Sequence, residues 1–236
     1  MKKIFLLSAL LMSIAVLGYA QKDFGGIIKM KTYATGTEDA NILSQVQGEA
    51  EMIVWGSKTK IVNSQQGIGT VVVSDGNTGI TNIVIDLSQM AYGKYLISDT
   101  ADYKTTKFDY EYDELDTKEI AGYKCHKVVV TVTDLETDES QSLTLYVTND
   151  LMNASTYKSA KYPGLKGYPL YTETFIENDG NSFTMINEAS EIKPDKKINA
   201  KSFILPAGWE PFENAPAEVK AMFGLGADGE EEEEEY

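Results

Sequence analysis

The sequence predicts a mainly β (α+β) fold: a curved antiparallel meander sheet, a half-barrel with short helices on its concave face. Three observations predict it. Runs of β-branched and aromatic residues recur along the chain, separated by Gly-, Asn- and Asp-rich turn signals. Only two short stretches carry helical spacing. No long helix alternates with the strands, so the crossovers of a parallel α/β sheet have no candidates.

Residues 25–33 form the first strand signal. Residues 38–47 follow as a helix, with Thr37 as N-cap and Ala40, Leu43 and Val46 on one face. Residues 49–55 and 58–63 flank Gly56-Ser57, a two-residue hairpin signal. Residues 70–74 and 80–87 flank Asp75-Gly76-Asn77-Thr78-Gly79. Further strands are expected at 94–97, 103–112, 118–120, 123–133, 142–148, 170–177, 182–192 and 202–205. A second helix is expected at 217–223, with Asn214 and Pro216 near its start and Gly224 past its end.

Period-two alternation sorts the strands onto two faces. One carries Met52, Val54, Ile83, Ile85, Leu87, Val128, Val130, Val132, Leu143, Leu145, Val147, Phe183 and Met185. The other carries Glu49, Glu51, Asn82, Asp86, Lys127, Thr131, Thr144, Thr148, Glu173 and Glu177, with the aromatics Trp55, Tyr146, Tyr171 and Phe175. The expectation is one dry face and one largely wet one.

The chain starts with a leader pattern. Lys2 and Lys3 precede an apolar run from Ile4 to Leu17, and Gly18-Tyr19-Ala20 offers small residues for cleavage. This is a secretory signal, too short and wrongly flanked for a membrane span. It predicts cleavage after Ala20, a periplasmic or secreted product, and one β-rich domain over 21–223. No Cys follows the apolar run, so a lipoprotein anchor has no attachment point. Residues 224–236, with Glu230 to Glu235, are expected to be a disordered acidic tail.

Losing Lys2 and Lys3 leaves 19 lysines against 36 acids. That balance excludes nucleic acid as a partner and disfavours anionic membrane surfaces. Every basic residue is Lys, which argues against bidentate capture of phosphate or carboxylate.

Catalytic motifs are weak. Cys125 and His126 are neighbours, and neighbours on a strand point to opposite faces, so they share no proton. One Cys excludes an intrachain disulfide, and one His excludes a His-based metal site. Gly224-Leu225-Gly226-Ala227-Asp228-Gly229 spells a dinucleotide pattern, but it follows a helix and precedes an acidic run. Asp109, Glu111 and Asp113 share a strand face and offer oxygens to calcium; a charged edge strand is the simpler reading. Between residues 157 and 171, Tyr157, Tyr162, Tyr168 and Tyr171 sit among Pro and Gly. This is either a binding surface, with an envelope protein as the partner of Tyr157, Tyr162 and Tyr168, or a turn packing its own rings. The reading is of a non-enzyme with no cofactor.

The stretch Lys118-Glu119-Ile120-Ala121-Gly122-Tyr123-Lys124-Cys125-His126-Lys127 resembles a family of uncharacterised secreted bacterial proteins, a domain-of-unknown-function family. Tyr146-Val147-Thr148-Asn149-Asp150-Leu151, Gly167-Tyr168-Pro169-Leu170 and Phe203-Ile204-Leu205-Pro206-Ala207-Gly208-Trp209 continue the likeness in order. The layout is similar to the lipoprotein-carrier (LolA/LolB-like) half-barrel. The resemblance implies no activity and no catalytic residues.

Cover is short. Nine or more strands at about 4.8 Å spacing make a sheet roughly 40 Å wide. A ten-residue helix is about 15 Å long and 10 Å across, and two cannot cover it. The expectation is a binder of an apolar ligand, such as a lipid, an acyl chain or a lipoprotein tail. Met52, Val54, Ile83, Ile85, Val130, Leu143, Leu145, Phe183 and Met185 would line its site. The alternative is a structural or protein-interaction component of the bacterial cell envelope.

Overall fold

A computed structural model describes residues 24–65, 67–101, 103–152, 157–178 and 181–223. The expected leader and acidic tail, and the Gly-rich motif at 224–229, lie outside the described residues.

The strands are β1 (Gly25–Thr35), β2 (Gly48–Trp55), β3 (Lys58–Gln65), β4 (Ile68–Asp75), β5 (Ile80–Asp86), β6 (Lys94–Thr100), β7 (Thr106–Ile120), β8 (Tyr123–Asp134), β9 (Ser140–Thr148), β10 (Tyr168–Asn178), β11 (Asn181–Pro194) and β12 (Trp209–Pro211). Helix α1 (Ala40–Val46) interrupts the β1–β2 connection, and α2 (Ala217–Met222) closes the described chain. Short 3₁₀ turns lie at Ser88–Met90, Ala200–Phe203 and Phe212–Asn214.

All twelve strands join one sheet in the order β12-β6-β5-β4-β3-β2-β1-β11-β10-β9-β8-β7. It is two meanders, β1 to β6 and β7 to β11, joined where β1 pairs antiparallel with β11. The one parallel pair is β12 on β6, at the edge.

The chain connection forces the curl. β6 and β7 are consecutive in sequence but stand at opposite ends of the pairing order. Laid flat, ten strand spacings would separate them by about 48 Å. Residues 101–105 span at most about 20 Å. The sheet therefore bends round until the two ends approach. Three irregularities permit it: Ser190 is skipped in β11, Leu170 in β10, and residues 114–116 in β7. Each extra residue bends its strand and sharpens the twist. The β7 irregularity also merges the two strands expected at 103–112 and 118–120 into one.

Register puts all thirteen apolar positions on one face, the concave one. Ile28, Met52, Ile61, Val72, Ile83 and Ile97 form a continuous cross-strand row on it. Three segments cover parts of this face. Tyr162 and Leu165 pack on Val128, Val130, Leu143, Leu145 and Val147. Phe212, Ala215 and Val219 pack on Ile85, Leu87 and Tyr95. Phe24, Leu151, Met152 and Tyr168 join Ile28 and Val54.

Three local expectations are corrected and one is refined. Residues 202–205 are not a strand; a 3₁₀ turn occupies Ala200–Phe203, fixed by a capping box between Asn199 and Ser202. The N-cap of α1 is Asp39, whose carboxylate accepts from the N–H groups of Asn41 and Ile42, while Thr37 accepts from the Asp39 N–H just before the helix. The outer face is not uniformly wet: Val73 and Val84 are buried there. The 200–203 turn lies on that side, with Lys60 donating to the carbonyls of Ser202 and Ile204. Thr148, expected on the wet face, is fully buried and accepts from the N–H of Asp150.

Candidate functional site

The segment from Tyr157 to Gly167 runs across the mouth of the half-barrel as a strap. Its first half is seated on the hairpin ends. The Lys158 N–H donates to Ser57 Oγ at 2.9 Å, and the Lys158 carbonyl rests on Gly76, where a Cβ would sit 1.8 Å from its oxygen. Only glycine admits that approach. The rest is tied to β7 and to Tyr103 just before it. Tyr103 donates to the Ala160 carbonyl, Tyr110 donates to the Pro163 carbonyl at 2.8 Å, and Tyr112 accepts from the Lys166 N–H at 2.8 Å. Tyr110 and Tyr112 lie two apart on β7 and so face the same way, toward the strap.

Beneath the strap a cleft of about 650 Å³ remains. That lies within the 300–1,000 Å³ typical of ligand sites. Met30, Ala50, Met52 and Ile61 supply its apolar floor. Thr32, Thr59, Ser74, Thr81, Thr172 and Asn187 supply hydroxyl and amide walls. Several of these polar groups satisfy each other. Thr32 donates to Asn187 at 2.8 Å, and Ser74 and Thr81 share a bond of 3.0 Å. Among the described residues no buried side-chain polar atom lacks a partner. An apolar body can therefore lie against the Thr32–Asn187 and Ser74–Thr81 pairs without orphaning their hydroxyls.

The roof is aromatic. Tyr157, Tyr162 and Tyr168 all line the cleft; Tyr162 and Tyr168 are buried. The Tyr157 and Tyr168 rings pack against each other at a tilt of 58°, 5.2 Å between centroids. Burial pushes the Tyr157 phenol up to about 12, with a bond to Ser159 acting the other way, and holds Tyr168 well above its ordinary value. These rings are neutral across physiological pH. The charged groups on the lining are Asp99, Lys158 and Lys161.

The nine residues read from the sequence share the concave face, but the fold distributes them. Met52 lines the cleft. Val54 is buried beside Ile28. Ile83 and Ile85 belong to the patch under Phe212 and Val219. Val130, Leu143 and Leu145 lie under Tyr162 and Leu165. Phe183 and Met185 are half-buried farther along the same face. Sequence reasoning missed Met30, Ile61 and the polar walls. Ile61 had a usable signal. The two-residue turn at Gly56-Ser57 sets Trp55 opposite Lys58, and counting back sets Met52 opposite Ile61.

The other motifs lie elsewhere. Cys125 is fully buried, its thiol pushed up to about 11 by burial and then by the Asp150 charge. His126 Nδ1 is 3.0 Å from a Glu114 carboxylate oxygen at the β7 irregularity. Asp109 pairs with Lys107 at 2.7 Å, Asp113 accepts from the N–H groups of Leu115 and Asp116, and Glu111 is exposed. Among the described residues no group of three or more His, Cys, Asp or Glu is placed to hold a metal ion. On the outer face, the rings of Tyr146 and Tyr171 are occupied by the Lys118 ammonium, 4.6 and 3.9 Å from their centroids.

A family model described as "Domain of unknown function (DUF4412)" matches residues 24–209. The chain belongs to the DUF4412 family. The matched span runs from Phe24 through the strap to the first residue of β12, so the cleft falls entirely inside it. No curated protein matches the chain. Among solved structures, a crystal structure of a DUF1329 family protein from Desulfovibrio piger is similar at 10% identity and a TM-score of 0.22, covering 83% of this chain and 95% of that one.

Proposed function

We propose that this DUF4412 protein is a non-catalytic binder of an apolar or amphiphilic molecule, held between the concave sheet and the strap. The observation that carries the reading is the cleft: about 650 Å³, a Met- and Ile-lined floor, an aromatic roof, and walls on which Thr32 pairs with Asn187 and Ser74 with Thr81. A lipid, an acyl chain or a lipoprotein tail fits that chemistry, in the manner of the LolA/LolB-type half-barrel. Tyr157, Tyr162 and Tyr168 line the cleft, so we assign them to the ligand rather than to an envelope partner. The leader pattern of residues 1–20 supports a periplasmic or secreted location; N-terminal sequencing of the exported protein should begin at Gln21.

The test has two parts. Protein purified from its own cell is extracted and examined by native mass spectrometry for a carried apolar molecule. Stripped protein is then titrated with Nile red, a neutral apolar probe. Wild type should enhance its fluorescence, and Met52→Trp, which fills the floor, should abolish the gain while leaving the thermal transition in place. No carried molecule, and no probe signal that Met52→Trp reduces, would leave the structural envelope reading in its place.

A further inference from the structure

We infer that the strap selects an amphiphile with an anionic headgroup, its apolar chain on the Met30, Met52 and Ile61 floor and its head against Lys158 and Lys161. This rests on the apolar-binder reading and narrows it to one ligand class.

The first observation is charge placement. The protein carries 36 acids, yet residues 151–171 contain none, and three lysines fall there. Two of those, Lys158 and Lys161, line the cleft. Asp99 on β6 is the carboxylate on that lining, one negative charge against two positive. The second observation is that several strand lysines are already committed to carboxylates. Lys29, Lys58, Lys94 and Lys127 sit on strands and are paired with carboxylates. Lys158 and Lys161 are exposed, and among the described residues the one contact of either ammonium is that of Lys161 with the Tyr162 ring, at 5.3 Å to its centroid.

The third observation is that the segment is held in place. The Lys158 backbone is pinned through Ser57 and Gly76, and Ser159 Oγ accepts from the N–H groups of Lys161 and Tyr162. The backbones that carry both ammonium groups are thus held at the cleft, with the side chains free to move at its rim. A carboxylate or phosphate there gains attraction from two cations while its chain leaves water. A neutral head gains only the second. Lysine suits such a rim, because a mobile point charge in contact with water stabilises either anion without the fixed fork of Arg.

Four probes separate the sources: dodecanoate, dodecyl phosphate, dodecanol and inorganic phosphate. Each is titrated by calorimetry into stripped full-length protein at low and high salt. Both anionic amphiphiles should bind about fivefold or more tighter than dodecanol, an advantage that shrinks as salt rises. Inorganic phosphate should bind far more weakly than dodecyl phosphate. Lys158→Glu with Lys161→Glu should remove the advantage of the anionic probes over dodecanol. These side chains are exposed, and a thermal transition at the wild-type position verifies that the fold is kept. Equal affinities for dodecanoate and dodecanol in wild type would overturn this inference and leave the apolar-binder reading standing. So would an anionic preference that survives the double reversal, or inorganic phosphate binding as tightly as dodecyl phosphate. Failure of all three chain-bearing probes would overturn both.

Discussion

Gly76→Ala is the sharpest perturbation of the strap. Gly76 lies in the β4–β5 turn, and its N–H donates to the Ser57 carbonyl at 2.9 Å. An added Cβ would stand 1.8 Å from the Lys158 oxygen, 2.6 Å from its carbonyl carbon and 3.2 Å from the Ala160 nitrogen. Real contacts stay beyond 3.0 Å. The obstacles are backbone atoms, so no rotamer change relieves them, and the strap must retreat by more than an ångström. That retreat strains the Lys158 bond to Ser57 and the Tyr103 bond to Ala160. Overpacking of this kind costs about 1–3 kcal/mol. For a domain of this size that lowers Tm by about 2–12 °C. The local effect should exceed the global one. Lys158, Lys161 and Lys166 are trypsin sites on the strap, and cleavage there should accelerate before the rest of the chain opens. Gly79→Ala is the control. Gly79 has a φ of +71°, so Ala is strained there too, but its nearest neighbour is the Ala101 side chain at 4.0 Å rather than the strap. It should lose stability, about 1 kcal/mol, without faster cleavage at the strap lysines. Equal strap protection in Gly76→Ala and wild type would refute the reasoning that the Lys158 carbonyl is seated on this glycine.

Three further outcomes follow. Tyr110→Phe removes the donor to the Pro163 carbonyl and should cost about 1 kcal/mol in urea denaturation, with faster hydrogen exchange confined to the strap. Leu145→Ala, under Tyr162 and fully buried, should cost about 2–5 kcal/mol; a loss below about 1 kcal/mol would mean that the strap does not pack there. Cys125 should resist thiol reagents at pH 8 until the protein unfolds. Because folding raises its pKa from 9.0 to about 11, the folded state favours the neutral thiol. Its contribution is intact below pH 9 and is lost as pH rises through 11, so Cys125→Ala should flatten the alkaline slope of stability.

Alternation placed Val130, Leu143, Leu145 and Met52 on one face because the two-residue period of a strand is a local property. Gly56-Ser57 gave the β2–β3 register for the same reason. Residues 202–205 read as a strand because Phe203, Ile204 and Leu205 are apolar, but apolarity alone does not distinguish a strand from a turn docked on a sheet. β12 was not visible: three residues pairing in parallel with β6 carry no local periodicity.

The amino-acid sequence by itself determined the mainly β class, the apolar face, the isolation of Cys125 from His126 by strand geometry, and the acid-free run that carries Lys158 and Lys161. Each follows from neighbours within a few positions, where backbone geometry and composition suffice. Only the tertiary structure decided that β1 pairs with β11, that β6 and β7 close toward each other, and that residues 157–167 cross the opening. The strap contacts join positions more than fifty residues apart, such as Tyr110 with Pro163 and Ser57 with Lys158, and depend on how the whole sheet curls. The same curl decides which apolar residues are covered and which are left around the cleft. Met52 and Leu145 look alike in the sequence; the strap buries Leu145 and leaves Met52 on the cleft floor.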